Sequence, residues 1–115
     1  MLITREEKVF SRKSLTSTDT VLSEFLVDCS MVNRISITVR NDMNQKVDVR
    51  VVGNDSLQPA NSVPLGKADT CDANSKTIIN VQSHVWTKYM GVDVKPQVAP
   101  TTGSIDVSMF LQEDK

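Results

Sequence analysis

Apolar side chains recur at every second position through much of this chain, the spacing that puts them on one face of an extended strand. The clearest case is 34–53. Ile35, Ile37 and Val39 alternate with Ser36, Thr38 and Arg40, and Val47, Val49 and Val51 alternate with Asp48 and Arg50. Pairing Val39 with Val47 places both apolar rows on one face of a hairpin. Asp42-Met43-Asn44 is then a three-residue loop with Asn44 in the left-handed position. On the other face, that register sets Arg40 opposite Lys46 and brings Asp48 within diagonal reach of Arg40.

The same period predicts strands elsewhere. Val21, Ser23, Phe25, Val27 and Cys29 share one face of 20–29, with Leu22, Glu24, Leu26 and Asp28 on the other. Leu22, Phe25 and Leu26 also fit a helix, but Thr, Val and Phe favour the strand. Residues 1–19 read as an N-terminal arm or edge strand, with Lys8-Val9-Phe10-Ser11 as its strand-like patch. Segment 77–82 sends Ile79 and Val81 inward, and 84–90 leads into a strand over 91–96. A final strand covers 104–111 after the Pro100-Thr101-Thr102-Gly103 turn, and the polar tail 112–115 is expected to fray. Pairing Val94 with Ile105 would oppose Asp93 and Asp106. Pairing Val94 with Val107 instead sets Lys95 beside Asp106 and is the favoured register.

Residues 54–76 carry no period and are rich in Asn, Asp, Ser, Gly and Pro, which marks a long loop. Within it, Val63-Pro64-Leu65 is the apolar knot expected to touch the core. About seven short strands with turns between them predict an all-β fold. The expected architecture is an antiparallel β-sandwich of Greek-key or jelly-roll type, forming a single domain over 1–115.

Composition narrows the partners. Of 115 residues, 13 are basic and 14 acidic, and the cations are dispersed among acids, so no nucleic-acid face is expected. Aromatic residues make up 4%, too few for an interleaved base-stacking platform. No run approaches the roughly 20 apolar residues of a spanning helix, so no membrane partner is expected. Met1-Leu2-Ile3-Thr4 runs straight into Arg5-Glu6-Glu7-Lys8, so no secretion signal is expected. Cys29 and Cys71 are therefore expected to stay reduced, with pairing left open for a product that later leaves the cell.

Candidate chemistry is sparse. Cys29, Cys71 and His84 are the residues from which a Cys-His nucleophile would be drawn. Yet Cys29 lies on an apolar face, and Cys71 sits between Asp69 and Asp72, where acids disfavour the thiolate. These scattered groups match no zinc spacing, and 69–74 lacks the order and the glycine of a calcium loop. Asp93 and Asp106, on neighbouring strands in the favoured register, would be the carboxylate pair of a glycosidase, but on a polar outer face rather than in a cleft. Gly66-Lys67 has no phosphate-loop context. The expectation is no catalytic, cofactor-binding or metal-binding residue, and no cofactor. Trp86 shares strand parity with Met90 and Val92 and is expected in the core, whereas Tyr89 has the opposite parity and would face a partner.

Two segments carry a family resemblance: Ile35-Ser36-Ile37-Thr38-Val39-Arg40-Asn41-Asp42 with its following Val47–Asn54 strand, and the aromatic stretch 86–94 with Pro100–Val107. Together they resemble the small β-sandwich modules in structural proteins of tailed phages and related proviruses, over roughly residues 20 to 111. The resemblance lies in strand and turn positions and transfers no functional residue. It implies a non-enzymatic assembly part of a tail, fibre or capsid, acting as a homo-oligomer with itself and other structural proteins. Its place would be the virion or the cytoplasm of the producing cell. Contacts are expected from the 54–76 loop (Leu57, Val63, Leu65), the N-terminal segment (Val9, Phe10) and Tyr89. The alternative is a carbohydrate-binding or adhesion module with Trp86 and Tyr89 as its platform.

Overall fold

The computed structural model describes residues 1–82 and 86–114. Ten strand segments follow in order: β1 Leu2–Lys13, β2 Val21–Leu22, β3 Val27–Asp28, β4 Val32–Asn41, β5 Val47–Asn54, β6 Val63–Pro64, β7 Asp69–Cys71, β8 Ser75–Val81, β9 Tyr89–Pro96 and β10 Ile105–Asp114. One short 3-10 turn, Pro59–Asn61, precedes β6. The sheets are antiparallel. One has the order β1-β10-β4-β8, and the other β2-β9-β5-β6, with β3 also on β9 and β7 also on β5.

Taking β2 with β3 and β6 with β7 as interrupted strands leaves eight strand positions, four per sheet. Only the step from β5 to β6 stays within a sheet as a direct neighbour; β1 to β2, β3 to β4, β4 to β5, β7 to β8, β8 to β9 and β9 to β10 all change sheets. That is the jelly-roll path. The expected sandwich is present, with about ten strand segments rather than seven.

Inward parity was legible, but partnership was not. Ile35, Ile37, Val39, Val47 and Val49 are all buried, as the alternation requires. They belong to different sheets, however. Val39 pairs with Val107 and Thr77, and Val47 with Pro96 and Cys71. The expected 34–53 hairpin is instead an arch that carries the chain from one sheet to the other. Its cause is Met43, fully buried at the end of the core, where a hairpin loop would leave that side chain in water. Burying it draws the connection over the core, and Asn41, also fully buried, holds the arch from inside.

The same correction applies to the last two strands. β9 pairs with β5, β2 and β3, while β10 lies between β1 and β4, so the Val94–Val107 register does not form. The outer-face charges find other partners. Arg50 lies opposite Asp93, Asp48 opposite Lys95, and Arg40 opposite Asp106 and Lys76.

The 20–29 strand is broken at 23–26, where Leu26 is buried over Gly91, apart from the main core cluster, and Phe25 is exposed. β1 extends well beyond the expected 8–11 patch and forms an edge of its sheet. Within 54–76, β6 and β7 both pair with β5, and Leu65 packs against the core.

Candidate interaction surfaces

The candidate catalytic groups are kept apart by the sandwich. Asp93 and Asp106 alternate with inward valines on strands of different sheets, so they lie on opposite outer faces across a core roughly 10 Å thick. Each is engaged with a cation. The two Asp93 carboxylate oxygens share the Arg50 Nε–H, each at 3.2 Å, and Oδ2 also accepts from Nη2 at 2.7 Å. That hydrogen bonding holds the Arg50 guanidinium above its ordinary pKa. Asp106 Oδ1 lies 3.6 Å from Lys8 Nζ and also accepts from the Arg12 backbone N–H.

The thiols are equally separated. Both cysteines are free and buried. Cys29 lies near the chain termini, its backbone N–H donating to Lys88 O. Cys71 lies at the other end, where β7 meets the arch. Burial pushes the Cys29 thiol up to about 12, which suppresses the thiolate a nucleophile or metal ligand requires. His84 lies outside the described residues. Among those that are described, no cluster of His, Cys, Asp or Glu could hold a metal ion. Also among them, no helix is long and apolar enough to cross a membrane.

An aromatic platform needs ring faces open to solvent. Trp86 instead packs against the core and donates its indole N–H to Val81 O at 3.4 Å. Tyr89, half-buried at the start of β9, carries Lys88 Nζ over its ring, 5.3 Å from the centroid.

The remaining candidates sort by exposure. Val9 and Phe10 are buried core residues, at 2% and 3% exposure, so an interface on the N-terminal segment cannot use them. They turn inward beside a register shift in β1, which sequence alternation does not reveal. Leu57 and Val63 are exposed, and Leu65 is half-buried. The chain also exposes apolar residues that sequence reasoning missed: Met1, Leu2, Ile3, Phe25 and Met31, with Ile78 at the centre of β8 and Val98 after β9. The strand registers bring Met1, Leu2, Ile3 and Met31 to one end, together with Leu57 and Val63. Leu2 and Ile3 begin β1 beside the last residues of β10, Met31 precedes β4, and Val63 pairs with Gly53 near the end of β5.

Arg5 ties this end together from beneath. Its Nη2 donates to Asp28 O at 3.1 Å and lies 3.0 Å from Glu113 Oε1. Asp28 in turn accepts from the Ser30 hydroxyl and backbone N–H, which lowers its carboxyl pKa.

The opposite end is closed by polar contacts. Asn41 Nδ2 donates to Gln45 O, Cys71 O and Asp72 O, and its Oδ1 accepts from Met43 N–H. Asn44 Nδ2 donates to the Thr101 hydroxyl, and its Oδ1 accepts from the Thr101 and Thr102 N–H groups. Gly103, at φ +89, sits where an added Cβ would run into the Asp42 carbonyl. One end is therefore bolted and the other is greasy.

The jelly-roll sandwich defines a class of fold, and solved structures share that fold. No protein-family model and no curated protein matches the sequence. The PBSX exported protein XepA matches with a TM-score of 0.66 at 9% identity, over 96% of this chain and 38% of its own. The chain thus spans well under half of XepA's length. The SPBc2 prophage-derived protein YomS matches at a TM-score of 0.55 and 8% identity, over 98% of this chain and 96% of its own. The capsid of Ralstonia phage GP4 matches at 0.55 and 14% identity, over 100% and 85%. At such identities the likeness is one of fold.

Proposed function

We propose that this chain is a non-enzymatic structural protein of a phage or provirus particle and works as a homo-oligomer. The observation that carries the reading is the apolar end. Met1, Leu2, Met31, Leu57 and Val63 expose 55% to 86% of their surface there, while the opposite end is closed by Asn41 and Asn44. Exposed apolar groups gathered at one end mark a surface to be covered. Full-length likeness to a prophage-derived protein and to a phage capsid supports a particle as the setting. Contacts are assigned to Leu57, Val63 and Leu65, to the start of β1, and to Tyr89 at the rim.

Light scattering of the purified chain over a wide concentration range tests the reading, with electron microscopy to show the form of any assembly. The expected result is a mass several times that of one chain. Monomer alone at high concentration overturns it. Trp86 fluorescence checks the carbohydrate-binding alternative: a saturable shift with a polysaccharide would favour it, and none is expected.

A further inference from the structure

The four sheet edges are guarded unequally. β1 carries Arg5, Glu6, Glu7, Lys8, Arg12 and Lys13, breaks register on both sides of Phe10, and turns through a left-handed Arg12 at φ 48. In the other sheet, β2 and β3 have two residues each, and β6 has two with Pro64 as one of them. Charges, bulges, proline and shortness are the devices that stop an edge from pairing with another chain. β8 has almost none of them. It runs seven residues, Ser-Lys-Thr-Ile-Ile-Asn-Val, in unbroken register with β4, without proline or glycine and with Lys76 as its one charge. Among the described residues β4 is its only strand partner, and Lys76 makes no ion pair. Ile78, at its centre, is 63% exposed. On the opposite face of β8 a groove is lined by Val51, Leu65, Ile79 and Val81.

We propose that the outer edge of β8 is a self-association edge whose occupant is β8 of a second copy, antiparallel across a two-fold axis at Ile78. The proposal rests on the assembling role argued above and assigns it a particular contact. The residue order selects this arrangement. About Ile78, Lys76 faces Asn80 of the second copy, Thr77 faces Ile79, and Ile78 faces its own counterpart. A parallel, in-register pairing would stack Lys76 on Lys76, and like charges directly opposite are destabilising. The two-fold arrangement is self-complementary, as an isologous contact must be. It extends the four-stranded sheet into one of eight across the dimer. Main-chain hydrogen bonds then supply the affinity and the side-chain rows the register. At roughly 3.3 Å per residue the edge is about 23 Å long, so the contact is small and its population concentration-dependent.

Sedimentation equilibrium of the full chain and of two exposed-site variants tests this, with circular dichroism to confirm that each is folded. Ile78→Lys places two cations on the axis and is expected to weaken the association at least tenfold. Asn80→Glu places a carboxylate opposite the second copy's Lys76 and is expected to strengthen it a few-fold at low salt, the gain fading at high salt. If the native chain associates and Ile78→Lys does not change it, the β8 edge is wrong and the assembling role stands on other surfaces. If Ile78→Lys weakens association and Asn80→Glu does not strengthen it, the two-fold register is wrong. A native chain that stays monomeric throughout overturns both.

Discussion

Asn41 holds the arch between the sheets, and its replacement has a magnitude that can be worked from the contacts. Its side chain is fully buried. Nδ2 lies 3.0 Å from Gln45 O, 3.1 Å from Asp72 O and 3.3 Å from Cys71 O, and Met43 N lies 2.9 Å from Oδ1. An amide carries two N–H donors, so one of the three carbonyls shares a hydrogen. Three effective bonds remain, each contributing about 1 kcal/mol net, with a further penalty where Met43 N–H is left buried and unpaired. Asn41→Ala should therefore cost more than about 3 kcal/mol, a large share of the roughly 5–15 kcal/mol that holds a domain folded.

Asn41→Asp should cost more at neutral pH, because a carboxylate would face three carbonyl oxygens with no hydrogen to donate. Burial and those carbonyls raise the pKa of the new acid, so its neutral, donating form is recovered as pH falls. The deficit relative to the native chain should then shrink on acidification. Urea unfolding followed by the single tryptophan, Trp86, reads both variants. Asn41→Asp as stable as the native chain at pH 7, or a loss below about 0.5 kcal/mol for Asn41→Ala, would refute the assigned role of this side chain.

Two further outcomes follow from the same geometry. Gly103→Ala should destabilise by more than the roughly 1 kcal/mol of an ordinary glycine exchange. Its φ is +89, and an added Cβ would run into the Asp42 backbone, so thermal unfolding should begin well below that of the native chain. Cys29 should resist iodoacetamide in the folded state at pH 8, since a thiol at about 12 is roughly one part in ten thousand thiolate there. Unfolding lowers that pKa towards 9, so stability should be full below pH 9 and decline as pH rises towards 12. A Cys29→Ala variant should lack this decline, and rapid native-state labelling would refute the assignment.

What was legible in the sequence was which way side chains point. Two-residue alternation fixed the inward rows of β4, β5, β9 and β10, because parity within a strand does not depend on its neighbour. What it could not fix was that neighbour. A hairpin and a sheet-to-sheet arch send the same residues inward, and charge pairing is satisfied in either case. Asp48 meets Lys95 rather than Arg40, and Asp106 meets Arg40 and Lys8 rather than Lys95. The available clue was Met43. An apolar residue between Asp42 and Asn44 has no purpose in a solvent-facing turn, and its burial is what makes 41–46 an arch. Val9 and Phe10 failed for a related reason. A register break in β1 puts both into the core, where strict alternation would have placed one outside.

The candidate site was less legible than the fold, because exposure depends on how strand ends meet. Leu2, Met31 and Leu57 stand far apart in sequence, and only the jelly-roll path brings them to the same end. Their convergence also bears on the kind of assembly expected. An edge contact about Ile78 is two-fold and closes on itself, so alone it yields a dimer and stops. The apolar end lies elsewhere on the molecule and is not related to that axis. If it meets a different surface of a neighbour, the contact is head-to-tail and generates a ring or an extended array. A chain with both contacts can build a lattice from dimers, whereas either contact alone cannot. Blocking the edge by Ile78→Lys should therefore reduce a large assembly to smaller closed or linear forms rather than to monomer. Burying charge at the apolar end, as in Met31→Glu, should leave dimers. Identical products from the two variants would mean that the surfaces are not independent.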